Sequence, residues 1–328
     1  MRDDVVRSVV TRMLVIIITF LVMISPAIPA SSREEQLTTP VVPQEVSKLI
    51  KLRPKAKDGY RGKMLIRRPP GEGPFPAVML IHGGLTSWST RQLREYALST
   101  FPSRFLAAGY AVATITYRSR DNDPQSPLPL YDALAAVNYL QRLPDIDVES
   151  IGVYGCSGGG DLALSLAAEV TVAAIVAEEP ASIMFTGIWD SSWPKAGERY
   201  TPLDAAPIFI NGTEYYTPEH RRVTRNKIAK FRSPILIVQG DLESQVAIND
   251  FNADVLIPEL QSSGKVIQVI TYPGQPHCFS MATRLQAGTE TSALKAFRET
   301  EMFFRGYMSV EPQPMQQRKV TFIPLSQQ

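Results

Sequence analysis

The sequence predicts an α/β fold with a mostly parallel sheet and helices on both faces. Beyond residue 62, short β-branched runs alternate with stretches of helical periodicity. Most of these runs are continuously apolar, which is typical of parallel strands buried on both faces. The predicted strands are Met64 to Arg67, Ala77 to Ile81, Ala111 to Tyr117, Ile151 to Tyr154, Val172 to Ala177, Ile235 to Gln239 and Val266 to Tyr272. Helical spacing between Leu130 and Leu140 predicts one of the helices, and a last helix is expected to stop at Gly306.

The N-terminus has the charge and hydropathy order of a secretory signal. Three arginines precede an apolar run from Met13 to Ile24, and small residues with two prolines follow it. The run has about 12 residues, short of the roughly 20 that span a membrane. We interpret residues 1–30 as a signal peptide cleaved near residues 30–32, with an uncleaved N-terminal anchor as the alternative. Both interpretations predict export to the periplasm or the medium. Attachment to a membrane is expected only through this segment, if it is not cleaved.

The remaining chain is interpreted as one α/β domain with flanking segments. The predicted units are a linker or lead-in over 31–62, an α/β domain over 63–306 and a C-terminal tail over 307–328. Residues 180–233 interrupt the alternation and contain many aromatic side chains, so they predict a cap-like insertion. Trp189 and Trp193 are its candidate substrate-binding residues, and the alternative is that these aromatics pack inward.

Composition excludes several functional classes. The 328 residues carry 34 basic and 32 acidic side chains, a net charge of +2, so nucleic acid is not an expected partner. Three histidines and two cysteines are too few for a dense disulfide framework or a Cys/His zinc cluster. With 44% hydrophobic residues the chain can bury a large core. The oligomeric state is left open.

A G-x-S-x-G motif lies between a predicted strand and a predicted helix. The strand that ends at Tyr154 runs into Gly-Cys-Ser-Gly-Gly over residues 155–159. This arrangement predicts a nucleophile elbow, in which small neighbours let the strand and helix backbones approach each other. We predict Ser157 as the nucleophile. The amide of Gly158, at the start of the helix, is predicted to donate to the oxyanion.

A phosphate-binding loop is the alternative for the same glycines. Gly155 and Gly160 have P-loop spacing, but Asp161 and Leu162 replace the Lys and the Ser or Thr that contact phosphate and magnesium. A nucleotide site is therefore disfavoured. No metal or organic cofactor is expected.

A second glycine motif follows an earlier strand. His82, Gly83 and Gly84 come directly after the run that ends at Ile81, and Leu85 follows them. An oxyanion hole takes its second N–H from the loop at this position. Gly84 is the predicted donor and Leu85 the alternate, while a simple tight turn would also explain the glycines.

The acid and the base of a triad are expected after later strands, in that order. Of the three histidines, only His277 follows the last strand, so we predict it as the general base. The strand that ends at Gln239 is followed by two candidate acids, Asp241 and Glu243. His82 belongs to the glycine loop, and His220 lies beside two arginines in the insertion.

With these motifs the chain resembles the α/β-hydrolase superfamily, and within it the prolyl oligopeptidase-like and dienelactone-hydrolase-like branch. The likeness extends over residues 60–306 and is carried by four stretches: HGG over 82–84, DVESIGVYGCSGGG over 147–160, the acid loop through Val246, and YPGQPH over 272–277. It implies an α/β-hydrolase fold and a serine hydrolase. The family's acid loop reads Gly, two residues, Asp, two residues, Val, which places Glu243 rather than Asp241 at the acid position.

The resemblance also guides the expected substrate. The chain lacks the propeller that larger prolyl peptidases place before the catalytic domain, which moves the expectation from peptides towards small esters. We therefore expect an exported carboxylic-ester hydrolase acting on a small-molecule ester. The alternatives are an aminopeptidase-like prolyl oligopeptidase acting on short peptides, and a non-catalytic binding protein on the same scaffold.

Two cysteines adjoin the predicted nucleophile and base. Cys156 precedes Ser157, and Cys278 follows His277. A bridge between an elbow and a loop places strict demands on geometry. We interpret both cysteines as small buried residues, with a disulfide as the alternative.

Overall fold

The structure is a computed structural model that describes residues 47–120, 123–189, 212–242, 246–281 and 289–309. The predicted signal segment over residues 1–30 lies outside the described residues. Part of the predicted insertion and residues 310–328 of the predicted tail also lie outside them. None of the helices within the described ranges combines the length and the apolar character needed to cross a membrane.

The described strands form one eight-stranded sheet in the order β1-β2-β4-β3-β5-β6-β7-β8. Their bounds are β1 Ile50–Leu52, β2 Lys63–Arg67, β3 Phe75–Ile81, β4 Ala111–Thr116, β5 Ile146–Cys156, β6 Ala174–Glu178, β7 Ile235–Gly240 and β8 Ile267–Tyr272. Strand β2 is antiparallel to both of its neighbours, and the other adjacent pairs are parallel. The predicted α/β fold with a mostly parallel sheet is confirmed.

All seven predicted strands are present, and β1 is the strand that the sequence analysis missed. It lies within the predicted lead-in and pairs with β2 at the edge of the sheet. Its three residues are only partly buried or exposed, so it lacks the apolar run that identified the other strands. The sheet therefore starts before the predicted domain boundary.

Helices cover both faces of the sheet. Their bounds are α1 Thr90–Ala97, α2 Thr100–Ala107, α3 Leu128–Leu140, α4 Gly158–Ala167, α5 Gly212–Tyr215, α6 Pro218–Ala229, α7 Val246–Phe251, α8 Ile257–Gln261 and α9 Thr289–Tyr307. Alternate residues of β3 supply the two cores: Met79 packs with residues of α3 and α4, and Leu80 packs with residues of α2 and α9. The last helix extends one residue past the predicted stop at Gly306.

Two prolines mark places where helices restart. Pro102 lies in the first turn of α2, which begins after a two-residue break that follows the end of α1. Pro258 is the second residue of α8 and follows a π-helical turn over Asn252–Leu256. A first-turn N–H has no partner within its helix, so proline is tolerated at position 102. At Pro258 the preceding residues are helical too, and the missing N–H coincides with the change from π-helical to α-helical hydrogen bonding. The parallel strand ends and the start of α4 then form the edge where the candidate site lies.

Candidate active site

Ser157 lies at the sharp turn between β5 and α4. Its backbone has φ 55° and ψ −119°, a left-handed conformation that strains a residue other than glycine. The turn allows no bulk at its glycines: a Cβ on Gly159 would lie 2.5 Å from the carbonyl oxygens of Ile81 and His82. A Cβ on Gly155 would overlap the Gly159 carbonyl. The predicted elbow is therefore formed, with Ser157 half-buried at its apex.

The predicted oxyanion loop packs directly against this elbow. Gly84 has φ 84°, in the left-handed region that favours glycine. A Cβ on Gly158 would overlap the Gly84 carbonyl oxygen and lie 3.4 Å from the side chain of Leu85. The structure therefore brings together the three residues predicted to supply oxyanion donors. Tyr117 supports the loop by donating its hydroxyl to the carbonyls of His82, at 3.1 Å, and Gly84.

His82 is a neutral structural member of the oxyanion loop. Its ring is stacked between Trp88, at 4.0 Å between centroids, and Tyr117, at 4.5 Å. Burial lowers the pKa of His82 to about 4. The Gly83 carbonyl, 2.8 Å from Nδ1, can only accept, so Nδ1 carries the proton and Nε2 accepts from the Thr116 hydroxyl at 3.0 Å. The loop is thus held by aromatic stacking and neutral hydrogen bonds.

The structure brings a carboxylate that the sequence analysis did not predict to His277. Oε2 of Glu179 lies 2.7 Å from Nδ1 of His277, at an ion-pair distance. The Glu179 side chain is fully buried and accepts from the amides of Gly240, at 2.6 Å, and Cys278, at 2.5 Å. These N–H groups compensate the buried carboxylate. With Nδ1 facing Glu179, Nε2 of His277 is the nitrogen left to act on a nucleophile.

Of the two predicted acids, the structure describes Asp241 but not Glu243. Glu243 lies outside the described residues, and its assignment stays a prediction. Asp241 is exposed, and its carboxylate accepts from the amide of Gly274 in the loop before His277. The family pattern places the acid after β7, whereas Glu179 follows β6, so the motifs did not predict it. The signal that could have found it is the Glu178-Glu179-Pro180 sequence at the carboxyl end of β6.

Backbone strain concentrates at this site. Within the part of the chain that the structure describes, the non-glycine residues with positive φ are Ser157 at 55°, Glu179 at 42° and Cys278 at 55°. Each position costs about 1–3 kcal/mol and persists only where surrounding contacts enforce it. All three adjoin the same centre, so the strain lies where it sets the geometry of Ser157, Glu179 and the histidine loop, residues 273–281.

Cys156 and Cys278 form a disulfide, so the interpretation of two separate buried residues is wrong. Their Cα atoms lie 6.0 Å apart across a sequence separation of 122 residues. The bridge ties the residue before Ser157 to the residue after His277. The two sulfurs and a ring nitrogen of His277 form a cluster within 4.8 Å, but sulfurs joined to each other offer no thiolate to a metal.

The structure describes one of the two predicted substrate-binding tryptophans. Trp193 lies outside the described residues. The side chain of Trp189 is buried among Ile183, Met184 and Phe251, with Leu85 at the edge of the cluster. Its role in substrate binding stays a prediction, and this burial favours the alternative of inward packing. Thr217 is the N-cap of α6, and its hydroxyl accepts from the amide of His220 at 3.3 Å.

Solved structures and curated proteins share this fold and parts of this sequence. The esterase Est22 superposes with a TM-score of 0.58 at 20% identity, covering 79% of this chain and 80% of that one. A bacterial heroin esterase gives 0.54 at 24% identity, covering 80% and 85%. Acyl-coenzyme A thioesterase 6 of Homo sapiens is 29% identical over 64% of this chain. The matched part of the chain spans 50% of the length of that thioesterase.

Family patterns cover the same region. The BD-FAE pattern matches residues 65–185. The pattern of the prolyl oligopeptidase family matches residues 128–308, which include the elbow, Glu179 and the histidine loop, and this is more than half of the 328 residues. The resemblance inferred from the motifs is thereby confirmed: the chain has an α/β-hydrolase fold and belongs to the prolyl oligopeptidase family.

Proposed function

We propose that the protein hydrolyses carboxylic esters through a triad of Ser157, His277 and Glu179. The observation that carries this proposal is the strained Ser157 elbow, together with the buried Glu179 carboxylate 2.7 Å from Nδ1 of His277. A buried carboxylate at Nδ1 fixes the ring and stabilises the imidazolium that forms during turnover. Glu179 replaces Glu243 in this proposal because its contact with the histidine is described.

The proposed reaction proceeds through an acyl-enzyme. Oγ of Ser157 attacks the ester carbonyl while Nε2 of His277 takes its proton, and the C=O electron pair moves onto the oxygen. The amides of Gly158 and Gly84 stabilise this oxyanion. As the carbonyl re-forms, the C–O bond breaks and the alcohol leaves with the proton from His277. Water, activated by the same nitrogen, then releases the acid and regenerates Ser157.

Esters are proposed ahead of peptides and thioesters because esterases are among the solved structures that share this fold. The similar proteins include a thioesterase and esterases by name, and all of these substrates present a carbonyl to a serine. The acyl and alcohol groups are left to a substrate panel.

We further propose that the protein is exported. The arginines and apolar run of residues 1–30 support this, as does a disulfide beside the active site, because disulfides persist in oxidising compartments. The test is fractionation of the native host. An N-terminus that begins near residues 31–33 in the periplasm or medium supports cleavage, and full-length protein in the cytoplasm contradicts export.

Labelling with a fluorophosphonate tests the enzymatic proposal directly. We expect the wild type to be labelled and Ser157→Ala not to be, with hydrolysis of p-nitrophenyl acetate lowered at least about 1,000-fold. Ser165→Ala, on the same helix α4, is the matched control and should label normally. Labelling of Ser157→Ala, or preference for aminoacyl-anilides or acyl-CoA over p-nitrophenyl esters, would contradict the proposal.

A further inference from the structure

A second buried carboxylate adjoins the site and has no part in the reaction proposed above. Glu178 ends β6 directly before Glu179, and its side chain is fully buried. Its backbone carbonyl accepts from the amide of Ser157 at 2.9 Å. Burial of a carboxylate is costly unless it has partners that donate hydrogen bonds. The partners of Glu178 therefore indicate what it does.

All the described partners of the Glu178 side chain are donors, and one residue supplies two of them. Oε1 accepts from the amide of Ser280 at 3.1 Å, and Oε2 accepts from the Ser280 hydroxyl at 2.7 Å. The Tyr154 hydroxyl also contacts Oε2. Ser280 lies three residues after His277, in the 3₁₀ turn Phe279–Met281. Glu178 thus holds the far end of the histidine loop.

Two consecutive glutamates therefore accept hydrogen bonds from alternate amides of the histidine loop. Glu179 takes the amide of Cys278, and Glu178 takes the amide of Ser280. Because the Glu178 backbone is bonded to Ser157, this residue links the nucleophile to the loop that carries the base. We propose that ionised Glu178 is a positioning residue, which fixes His277 relative to Ser157 through Ser280. Its effect on catalysis rests on the proposed function.

The surroundings of Glu178 make its hydrogen bonds to the histidine loop sensitive to pH. Burial, and then the charge of Glu179, raises the pKa of Glu178 to about 7. The titratable groups facing it are Glu179, Tyr154 of β5, Tyr96 of α1 and Tyr272 of β8, and burial raises the pKa of each of these tyrosines, so they stay neutral. The acid adjacent to Tyr272 is Glu299 of α9. The hydrogen bonds from Tyr154 and Ser280 act against the burial effect and lower the pKa of Glu178, so these bonds are stronger to the ionised side chain than to the protonated one, in which one oxygen carries a hydrogen.

The test compares Glu178→Gln with the wild type across pH. Glutamine resembles the protonated acid, so kcat/KM for p-nitrophenyl acetate should be about tenfold lower than wild type above pH 7. The two proteins should converge as the pH falls below about 7. A ratio that stays constant with pH, or equal activity throughout, would overturn the proposal. KM should change little, because the side chain of Glu178 is fully buried.

A matched control separates positioning from a general effect on stability. Glu259 is also a buried carboxylate, bonded to Arg225 at 2.6 Å and to Arg221 at 3.0 Å. Glu259→Gln should lower stability and leave the pH profile of kcat/KM unchanged. If Glu178→Gln fails to fold, Ser280→Ala removes only the hydroxyl donor and should give a smaller loss with the same dependence on pH. A pH-independent loss would contradict the proposal.

Hydrogen exchange measures how firmly the histidine loop is fixed, and it does not depend on an activity assay. Amides of residues 273–281, corrected for intrinsic exchange, should be less protected in Glu178→Gln than in wild type above pH 7, and equally protected in both proteins below it. Unchanged protection would overturn the inference. If the wild type fails to label with a fluorophosphonate, the proposed function fails, and exchange then decides alone whether Glu178 holds the loop.

Discussion

Two loops meet at Ser157, and they are held in place by different physics. The oxyanion loop, residues 82–88, is fixed by a neutral imidazole stacked between two aromatic rings and by hydroxyl groups. The histidine loop is fixed by two buried carboxylates and by a disulfide. The first set carries no charge at neutral pH, whereas the second depends on ionisation and oxidation.

The difference fits the role proposed for each loop. The oxyanion loop is proposed to present backbone amides, which stabilise charge best when their positions are fixed beforehand. In the proposed reaction the ring of His277 becomes positive, so a fixed negative charge beside it stabilises the imidazolium. Placing charge in a buried site makes that loop responsive to conditions. We therefore expect pH and redox changes to act through the histidine loop.

The largest expected effect comes from removing the charge at Nδ1. Glu179→Gln should lower kcat by about 1,000- to 10,000-fold with a small change in KM, because a neutral amide neither fixes the ring in the same way nor stabilises the imidazolium. Steady-state kinetics on p-nitrophenyl acetate is the measurement. Asp241→Asn and Glu243→Gln are the controls, and a larger loss in either of them would return the acid to the loop after β7.

On the oxyanion side, Gly158→Ala should lower kcat by about 100- to 1,000-fold. The new methyl group would overlap the Gly84 carbonyl and displace the loop. Gly306→Ala is the matched control, because a Cβ there meets nothing within 4 Å, and it should leave kcat unchanged. Equal activity of Gly158→Ala and wild type would show that the contact between the loops is not needed.

Removing the disulfide should separate stability from catalysis. We expect Cys156→Ala with Cys278→Ala to lower the free energy of unfolding by about 2–4 kcal/mol, since the bridge closes a long segment of chain. Denaturant unfolding with and without reductant measures this. The wild type in reductant should match the double variant, while reductant should not affect the variant itself. A reductant effect on the variant would contradict the assignment.

The smallest expected effects are opposite slopes of stability with pH. The pKa of Glu178 is raised to about 7, so its favourable contribution is present below its ordinary value of 4.5 and is lost as the pH rises through 7. The pKa of His82 is lowered to about 4, so its contribution is present above 6.5 and is lost as the pH falls through 4. Each amounts to at most a few kcal/mol.

Thermal unfolding of Glu178→Gln and His82→Asn against wild type checks these slopes. The glutamine variant should gain relative to wild type as the pH rises, and the asparagine variant should lose. Parallel curves for wild type and both variants would remove the electrostatic distinction between the two loops. Scans should stay within a pH range where wild-type unfolding is reversible.

The local features of the site could be predicted from the sequence because their causes are local. Gly155 and Gly159 are required by close backbone approaches within a single turn, and the order strand, glycine, serine, helix reports that turn directly. The continuous apolar runs likewise predicted seven of the strands. The short edge strand β1 was not predicted, because it is a strand through its pairing with β2 and has no buried apolar run of its own.

By itself, then, the sequence determined the fold class, the elbow at Ser157 and His277 as the candidate base. Only the tertiary structure showed that the Glu179 carboxylate lies beside that histidine, and that Cys156 joins Cys278. These partners are 98 and 122 residues apart, and their contact depends on the order β5-β6-β7-β8 in the sheet. Spacing along the chain carries no signal for such pairs, because parallel strand ends that are neighbours in space can be distant in sequence.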